Sequence, residues 1–204
     1  MADDHPVVRE GLKRIVAGED GFGFAGESAT SAETLSRVPA ADVDVLLLDL
    51  EMPGRGGLDV LRELRQQLPD LRVVVLSHYP EDPYAVRAIQ AGASSFLTKI
   101  TAPERLVEAI RKVAAGGRYI SEEVAAQLAF YVGGTRQDKP HEALSHREFQ
   151  VLCLIGKGKT VSEIADDLAL SVKTVSTYRS RLLEKMGLGN NAQLMRYAME
   201  HGLV

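Results

Sequence analysis

A chain of 204 residues, 45% hydrophobic and 25% charged, has the composition of ordinary folded domains and the length for one or two of them. One cysteine, Cys153, excludes an intramolecular disulfide framework, and no run approaches the ~20 consecutive apolar residues of a membrane span. The net charge of −4 by itself argues against a nucleic-acid binder, but its distribution changes that: within 171–187 Lys173, Arg179, Arg181 and Lys185 face only Glu184.

That basic segment lies in a C-terminal part, 141–204, with eight Lys/Arg against seven Asp/Glu, while 1–140 hold sixteen against twenty-one. The opening Met1-Ala-Asp-Asp-His5 is acidic, unlike a secretion signal, so a soluble cytoplasmic protein without a membrane partner is expected.

In chain order, Pro6–Val16 sets Val8, Leu12, Ile15 and Val16 on one helical face, with Pro6 tolerated in the first turn. Phe22–Glu27 reads as a short strand and Ala32–Val38 as a helix. Val43–Leu48 is apolar at every position but Asp44, the pattern of a strand covered on both faces. Leu58–Leu68 returns to helical spacing, Arg72–Leu76 is a second buried strand, and Pro83–Ala91 a helix that Gly92 ends. Ser95–Leu97 is a third, very short strand, and Leu106, Ile110 and Val113 mark a helix closed by Gly116-Gly117. Alternating βα units imply a doubly wound parallel sheet over residues 1–119.

Residues 120–141 form a linker that carries a helix, Ser121–Val132, before the polar stretch Gly133–Pro140. Residues 142–204 then hold four helices. Ser145-His-Arg-Glu148 and Thr160-Val-Ser-Glu163 match the capping box, and Ser171 and Asn190 stand where two further helices begin. Val161–Leu168 and Val172–Met186 are spaced as a helix-turn-helix, with Val175, Leu182 and Met186 on a packing face beside Tyr178.

The chemistry gathers at the carboxyl ends of the expected strands, where open α/β sheets bind ligands. Asp3 and Asp4 sit after the first strand position, Asp49 after Val43–Leu48, Ser77 after Arg72–Leu76 and Lys99 after Ser95–Leu97. Three converging carboxylates repel one another, and a hard divalent cation such as Mg²⁺ relieves this with oxygen ligands. A hydroxyl and an ammonium opposite can hold phosphoryl oxygens.

Asp3-Asp4, Asp49-Leu-Glu-Met-Pro-Gly54 with Gly57, Ser77 and Lys99 resemble the receiver domain of response regulators, of flavodoxin-like fold. Leu144-Ser-His-Arg-Glu148, Ile164-Ala165, Lys173-Thr-Val175 and Gly202-Leu-Val204 are similar to the LuxR-type tail, so the whole chain resembles a NarL/FixJ-type regulator. The resemblance implies that Asp49 is the phosphoacceptor and that Asp4, Asp3 (through water), Asp49 and the Glu51 carbonyl hold Mg²⁺. It implies Ser77 as switch hydroxyl, Lys99 as phosphoryl contact and Phe96 as aromatic switch. His5 is read as a surface or packing residue. Receivers carry more apolar residues before the acidic pair than Met1-Ala2, so the native reading frame is expected to extend upstream.

In the tail, Ser176, Thr177 and Ser180 are the implied base readers, Lys173 and Arg179 the phosphate contacts, and Thr174 lies in the same DNA-binding set. The resulting expectation is a DNA-binding transcriptional regulator, not an enzyme, phosphorylated by a cognate sensor histidine kinase and dimerising on promoter DNA. A phosphorylation-independent dimer with a structural receiver is the alternative. A Mg²⁺-dependent phosphohydrolase on the same carboxylates is the enzymatic rival, lacking a segment to form a substrate pocket.

Overall fold

The computed structural model describes residues 1–52, 55–78, 81–133, 139–168 and 170–204, without the side chains at 81–83, 123, 127 and 130–133. The chain divides into two compact units, Met1–Gly134 and Thr135–Val204.

In the first unit, β1 (Val45–Asp49), β2 (Arg72–Ser77) and β3 (Ser95–Thr98) form a parallel sheet in that order. The helices are α1 (Pro6–Ala17), α2 (Ser31–Arg37), α3 (Gly57–Gln67), α4 (Glu81–Gln90), α5 (Pro103–Ala114) and α6 (Glu122–Gly133). The register pairs Asp49 with Leu76 and Ser77 with Thr98, bringing the carboxyl ends of the strands to one edge. Strand residues alternate between faces. Leu47, Val74, Leu76 and Leu97 pack with Leu12 of α1 and with Leu106, Ala109, Ile110 and Val113 of α5. The intervening Leu46, Leu48, Val73, Val75 and Phe96 are also buried, and α3 and α4 lie against β1 and β3. Coverage on both faces is what makes these strands read as unbroken apolar runs.

The first three residues pair at the edge of the sheet. Ala2 N–H donates to the Leu47 carbonyl and its own carbonyl accepts from Asp49 N–H, both at 2.8 Å. On the other side Ser28 N–H donates to the Met1 carbonyl at 2.9 Å and Asp3 N–H to the Ser28 carbonyl at 3.1 Å. These four bonds insert Met1–Asp3 between β1 and Ser28 and set the acidic pair beside Asp49. The expected strand at Phe22–Glu27 does not form; pairing is confined to a bridge at Ser28. A strand needs a neighbour along its length, and among the described residues the pairing partners of Met1–Asp3 on this side are Gly26 and Ser28. Between 21–26 and 42–45 lies a cavity of about 200 Å³ lined by Met1, Phe22, Phe24, Val43, Val45 and Ile110.

In the second unit, a 3₁₀ turn at Pro140–Ala143 precedes α7 (His146–Gly156), α8 (Val161–Asp167), α9 (Val172–Met186) and α10 (Asn191–Glu200). Both capping boxes form: Ser145 with Glu148, and Thr160 with Glu163. Ser171 caps α9 by accepting from Thr174 N–H, Asn190 caps α10 by accepting from Gln193 N–H, and left-handed Gly187 ends α9. α7 is buried around most of its circumference, through Phe149, Val151, Leu152 and Ile155, because α8, α9 and α10 all pack on it. Of the stretch expected at Gly133–Pro140, residues 134–138 lie outside the described residues, and α6 packs against α4 of the first unit.

Candidate functional site

At the carboxyl edge of the sheet, Lys99 bridges two buried carboxylates. Its Nζ lies 2.8 Å from Asp49 Oδ2 and 2.8 Å from Asp3 Oδ2, with all three side chains 3% exposed or less. The backbone positions each member. Lys99 N–H donates to the Ser77 carbonyl at 2.8 Å, tying the end of β3 to that of β2. Glu51 N–H donates to Asp49 Oδ1 at 3.0 Å, and His5 N–H to Asp3 Oδ1 at 2.8 Å. Asp4 is partly exposed at the rim, with His5 Nδ1 2.7 Å from its Oδ1. Ser77 is fully buried, and Phe96 is buried in β3. Pro53 and Gly54, part of the motif that carries the resemblance, lie outside the described residues.

Burial pushes the Asp49 carboxyl above the usual carboxylate range, although Lys99 pulls it down and Asp3 adds to the rise. Burial works to lower Lys99, but Asp49 and Asp3 prevail and hold its ammonium above the ordinary range. Three carboxylates against one ammonium leave a surplus of negative charge in a poorly hydrated place. Asp3 Oδ2 is buried 2.8 Å from Lys99 Nζ, and Asp4 Oδ1 is buried 2.7 Å from His5 Nδ1. Hard oxygen donors with surplus charge suit a divalent cation such as Mg²⁺, and Asp3, Asp4, His5 and Asp49 each offer a ligand atom within 4.8 Å of the others.

Gly57 sets the loop above this edge. A Cβ there would fall on Leu50 Cα and within 2.8 Å of the Asp49 carbonyl oxygen, both backbone. Gly57→Ala is therefore expected to destabilise the first unit by about 1–3 kcal/mol, read by chemical denaturation, and to slow reactions at Asp49. Unchanged stability would show that the loop can give way.

In the second unit, α9 buries Val175, Leu182 and Met186 and exposes Lys173, Ser176, Thr177, Ser180 and Arg181. The hydroxyls are already used as donors: Thr177 Oγ1 to the Lys173 carbonyl and Ser180 Oγ to the Ser176 carbonyl, each at 3.0 Å. What they keep free is acceptor capacity, suited to base amino groups. Half-buried Thr174 has its hydroxyl 2.7 Å from Ser171 Oγ. Arg179 is also half-buried, and its Nε donates to Asn191 Oδ1 at 2.5 Å. Lys185 pairs with buried Glu148 at 2.7 Å, fixing α9 to the start of α7. Burial alone would raise Glu148, but Lys185 and the Ser145 N–H together hold it below its ordinary range. Of the basic cluster, Lys173 and Arg181 are exposed and without an ion pair among the described residues. Charge counting does not separate Arg181 from Lys185, and both are exposed on the same face of the helix; the ion pair with Glu148 separates them.

Comparison with known proteins decides the family. The family described as "Response regulator receiver domain" matches residues 1–111, and "Bacterial regulatory proteins, luxR family" matches 142–198. The chain is a NarL/FixJ-type response regulator. It is similar along its whole length to response regulator GacA of Pseudomonas protegens, at 41% identity over 96% of that protein, and to UvrY of Escherichia coli K12, at 36% over 94%. Among solved structures, RcsB from Salmonella enterica serovar Typhimurium, bound to promoter rprA with the phosphomimetic BeF3−, matches with a TM-score of 0.60. That match has 27% identity and covers 96% of this chain and 95% of RcsB. A further structure holds two RcsB dimers on two parallel DNAs, with 28% identity, a TM-score of 0.57, and 97% of this chain and 95% of that one covered. Response regulators with this tail are two-component transcription regulators. The doubly wound parallel-sheet receiver and the helical tail expected from the sequence are both present. No described helix is long and apolar enough to cross a membrane.

Proposed function

We propose that this response regulator is a phosphorylation-dependent transcriptional regulator acting in the cytoplasm, whose Asp49 accepts a phosphoryl group from a sensor histidine kinase. The observation that carries the reading is the buried Asp3–Lys99–Asp49 cluster at the carboxyl edge of the sheet. An Asp49 carboxylate oxygen attacks phosphorus, the P–N bond of the phosphohistidine donor breaks, and the imidazole leaves with the bond's electrons. Asp4, Asp49 and the Glu51 carbonyl, with Asp3 acting through water, would hold Mg²⁺, which would supply neutralising charge for the transferred phosphoryl oxygens. Lys99 exchanges the Asp49 oxygen for a phosphoryl oxygen, and Ser77 donates its hydroxyl to another. The withdrawal of Lys99 and Ser77 toward the phosphoryl group, with Phe96 following, is the local change that biases the receiver toward a dimer. A small-molecule phosphodonor tests the site: labelled protein is expected with Mg²⁺, and chelation or Asp4→Ala should leave it almost unlabelled. Equal labelling under chelation would contradict the metal role.

The tail contacts promoter DNA through α9 in the major groove. Lys173 and Arg179 position on phosphates; Ser176, Thr177 and Ser180 read bases, with Thr174 at the helix start beside them. Lys173→Ala is expected to weaken all sequences alike and to reduce the salt slope by about one. Thr177→Ala or Ser180→Ala should instead change preference among sites by roughly 1–3 kcal/mol. Arg179 is tied to Asn191, so Arg179→Ala should reduce the salt slope less than Lys173→Ala does. Binding isotherms over a salt series separate these outcomes; an altered sequence preference in Lys173→Ala would reverse the assignment.

A further inference from the structure

His5 stands closer to the acidic cluster than a surface or packing residue needs to. We propose that its imidazole is a nitrogen ligand in the cation pocket of Asp3, Asp4 and Asp49, so that the pocket favours Mn²⁺ and other first-row transition ions over Mg²⁺. The proposal rests on the metal reading given above and adds a ligand of different chemistry to it.

The geometry has the right scale. His5 Nδ1 lies 2.7 Å from Asp4 Oδ1 and 3.3 Å from Asp3 Oδ1. One ligand atom from each of Asp3, Asp4, His5 and Asp49 falls within 4.8 Å of all the others. An octahedral shell with bonds of about 2.1 Å places neighbouring ligands about 3 Å apart and opposite ones about 4.2 Å apart, so small side-chain movements complete it.

The ring is also held there. The His5 backbone N–H is fixed on Asp3 Oδ1 at 2.8 Å, and Pro6 begins α1 immediately after it. The imidazole meets His78 edge to face, with centroids 5.3 Å apart. Lys99 takes the Asp3 and Asp49 Oδ2 atoms, so a cation enters on the side of Asp4 and His5, where the His5 side chain is half exposed. There Asp4 Oδ1 stands 2.7 Å from His5 Nδ1, close to the spacing of neighbouring ligands in an octahedral shell. Ligation uses the neutral ring with its proton on Nε2.

Mg²⁺ takes oxygen ligands almost exclusively, so an imidazole costs it a preferred oxygen, whereas Mn²⁺, the first ion of the first-row affinity series, accepts the nitrogen and the later ions favour it more strongly.

The experiment uses the full chain with Mn²⁺ alone, followed by pulsed electron paramagnetic resonance. Bound Mn²⁺ should show ¹⁴N modulation from a directly coordinated imidazole in the wild type, and none in His5→Ala. In competition titrations the Mn²⁺-to-Mg²⁺ affinity ratio should fall about tenfold in His5→Ala, the scale of losing one supporting group at a metal site. His5→Gln, which keeps a polar side chain, should behave as His5→Ala does, and metal-free thermal unfolding checks that both variants fold. Mn²⁺ bound without nitrogen modulation, or an unchanged ratio, would overturn the His5 ligand while leaving the carboxylate site standing. Failure of the wild type to bind either ion would overturn the metal reading itself, and the His5 proposal with it.

Discussion

Asp49→Asn should lose phosphorylation completely, because a carboxamide oxygen cannot form the acyl phosphate that a carboxylate forms. The label should fall to the level of unreacted protein under any phosphodonor, measured on intact protein by mass spectrometry. The same variant should remain folded. Burial raises the Asp49 carboxyl, and a carboxyl raised by folding stabilises the folded state only at pH below its unfolded value, an advantage lost as pH rises. At neutral pH its charge therefore weakens the fold, and a neutral amide removes that cost. Lys99 retains Asp3 at 2.8 Å. A melting temperature equal to or above the wild-type value, together with absent label, is the expected pair of results. Label persisting at the wild-type level would move the phosphoacceptor elsewhere.

Phosphorylation should convert a monomer into a dimer that grips two half-sites. One helix-turn-helix of this size buries little surface, and α9 presents few unpaired cations, so a single tail binds weakly. Two tails joined through their receivers raise the effective concentration of the second contact, multiplying affinity by ~10²–10⁴ without new base contacts. Half-sites are then pseudo-palindromic, with centres about one helical turn, ~10 base pairs, apart. Moving a receiver from mostly inactive to mostly active requires phosphorylation to favour the dimer by about 5 kcal/mol. Sedimentation velocity should show a monomer in Mg²⁺ alone and a dimer after beryllofluoride is added. A dimer in both conditions would favour the phosphorylation-independent reading, in which the receiver only joins the two tails.

Much of this architecture is legible in the sequence because its signals are local. Val45–Leu48 and Val73–Leu76 are unbroken apolar runs for the reason that helices cover both faces, and the hydroxyl–glutamate pairs at Ser145 and Thr160 are read directly as helix starts. Asp49, Ser77 and Lys99 are legible as a group because each follows a strand and parallel strands end at one edge. What escapes is set by partners distant along the chain. Phe22 and Phe24 have strand-like spacing, yet a strand depends on a neighbour, and Met1–Asp3 pairs only beyond them. Lys185 counts in the basic segment 171–187, and only the fold shows that Glu148, 37 residues away, pairs with it. The contact of His5 with Asp4 depends on how α1 leaves the sheet, which no residue pattern encodes.

Retention of DNA by the phosphoryl-analogue form measures the central claim most directly. Wild-type protein and Asp49→Asn would be mixed with fragments of genomic DNA in Mg²⁺ at a fixed salt concentration, with and without beryllofluoride. The account predicts that beryllofluoride raises wild-type retention of a small set of fragments at least tenfold, within the ~10²–10⁴ that joining two tails supplies, and leaves Asp49→Asn unchanged. Wild-type protein that retains the same fragments equally well in both conditions would contradict it.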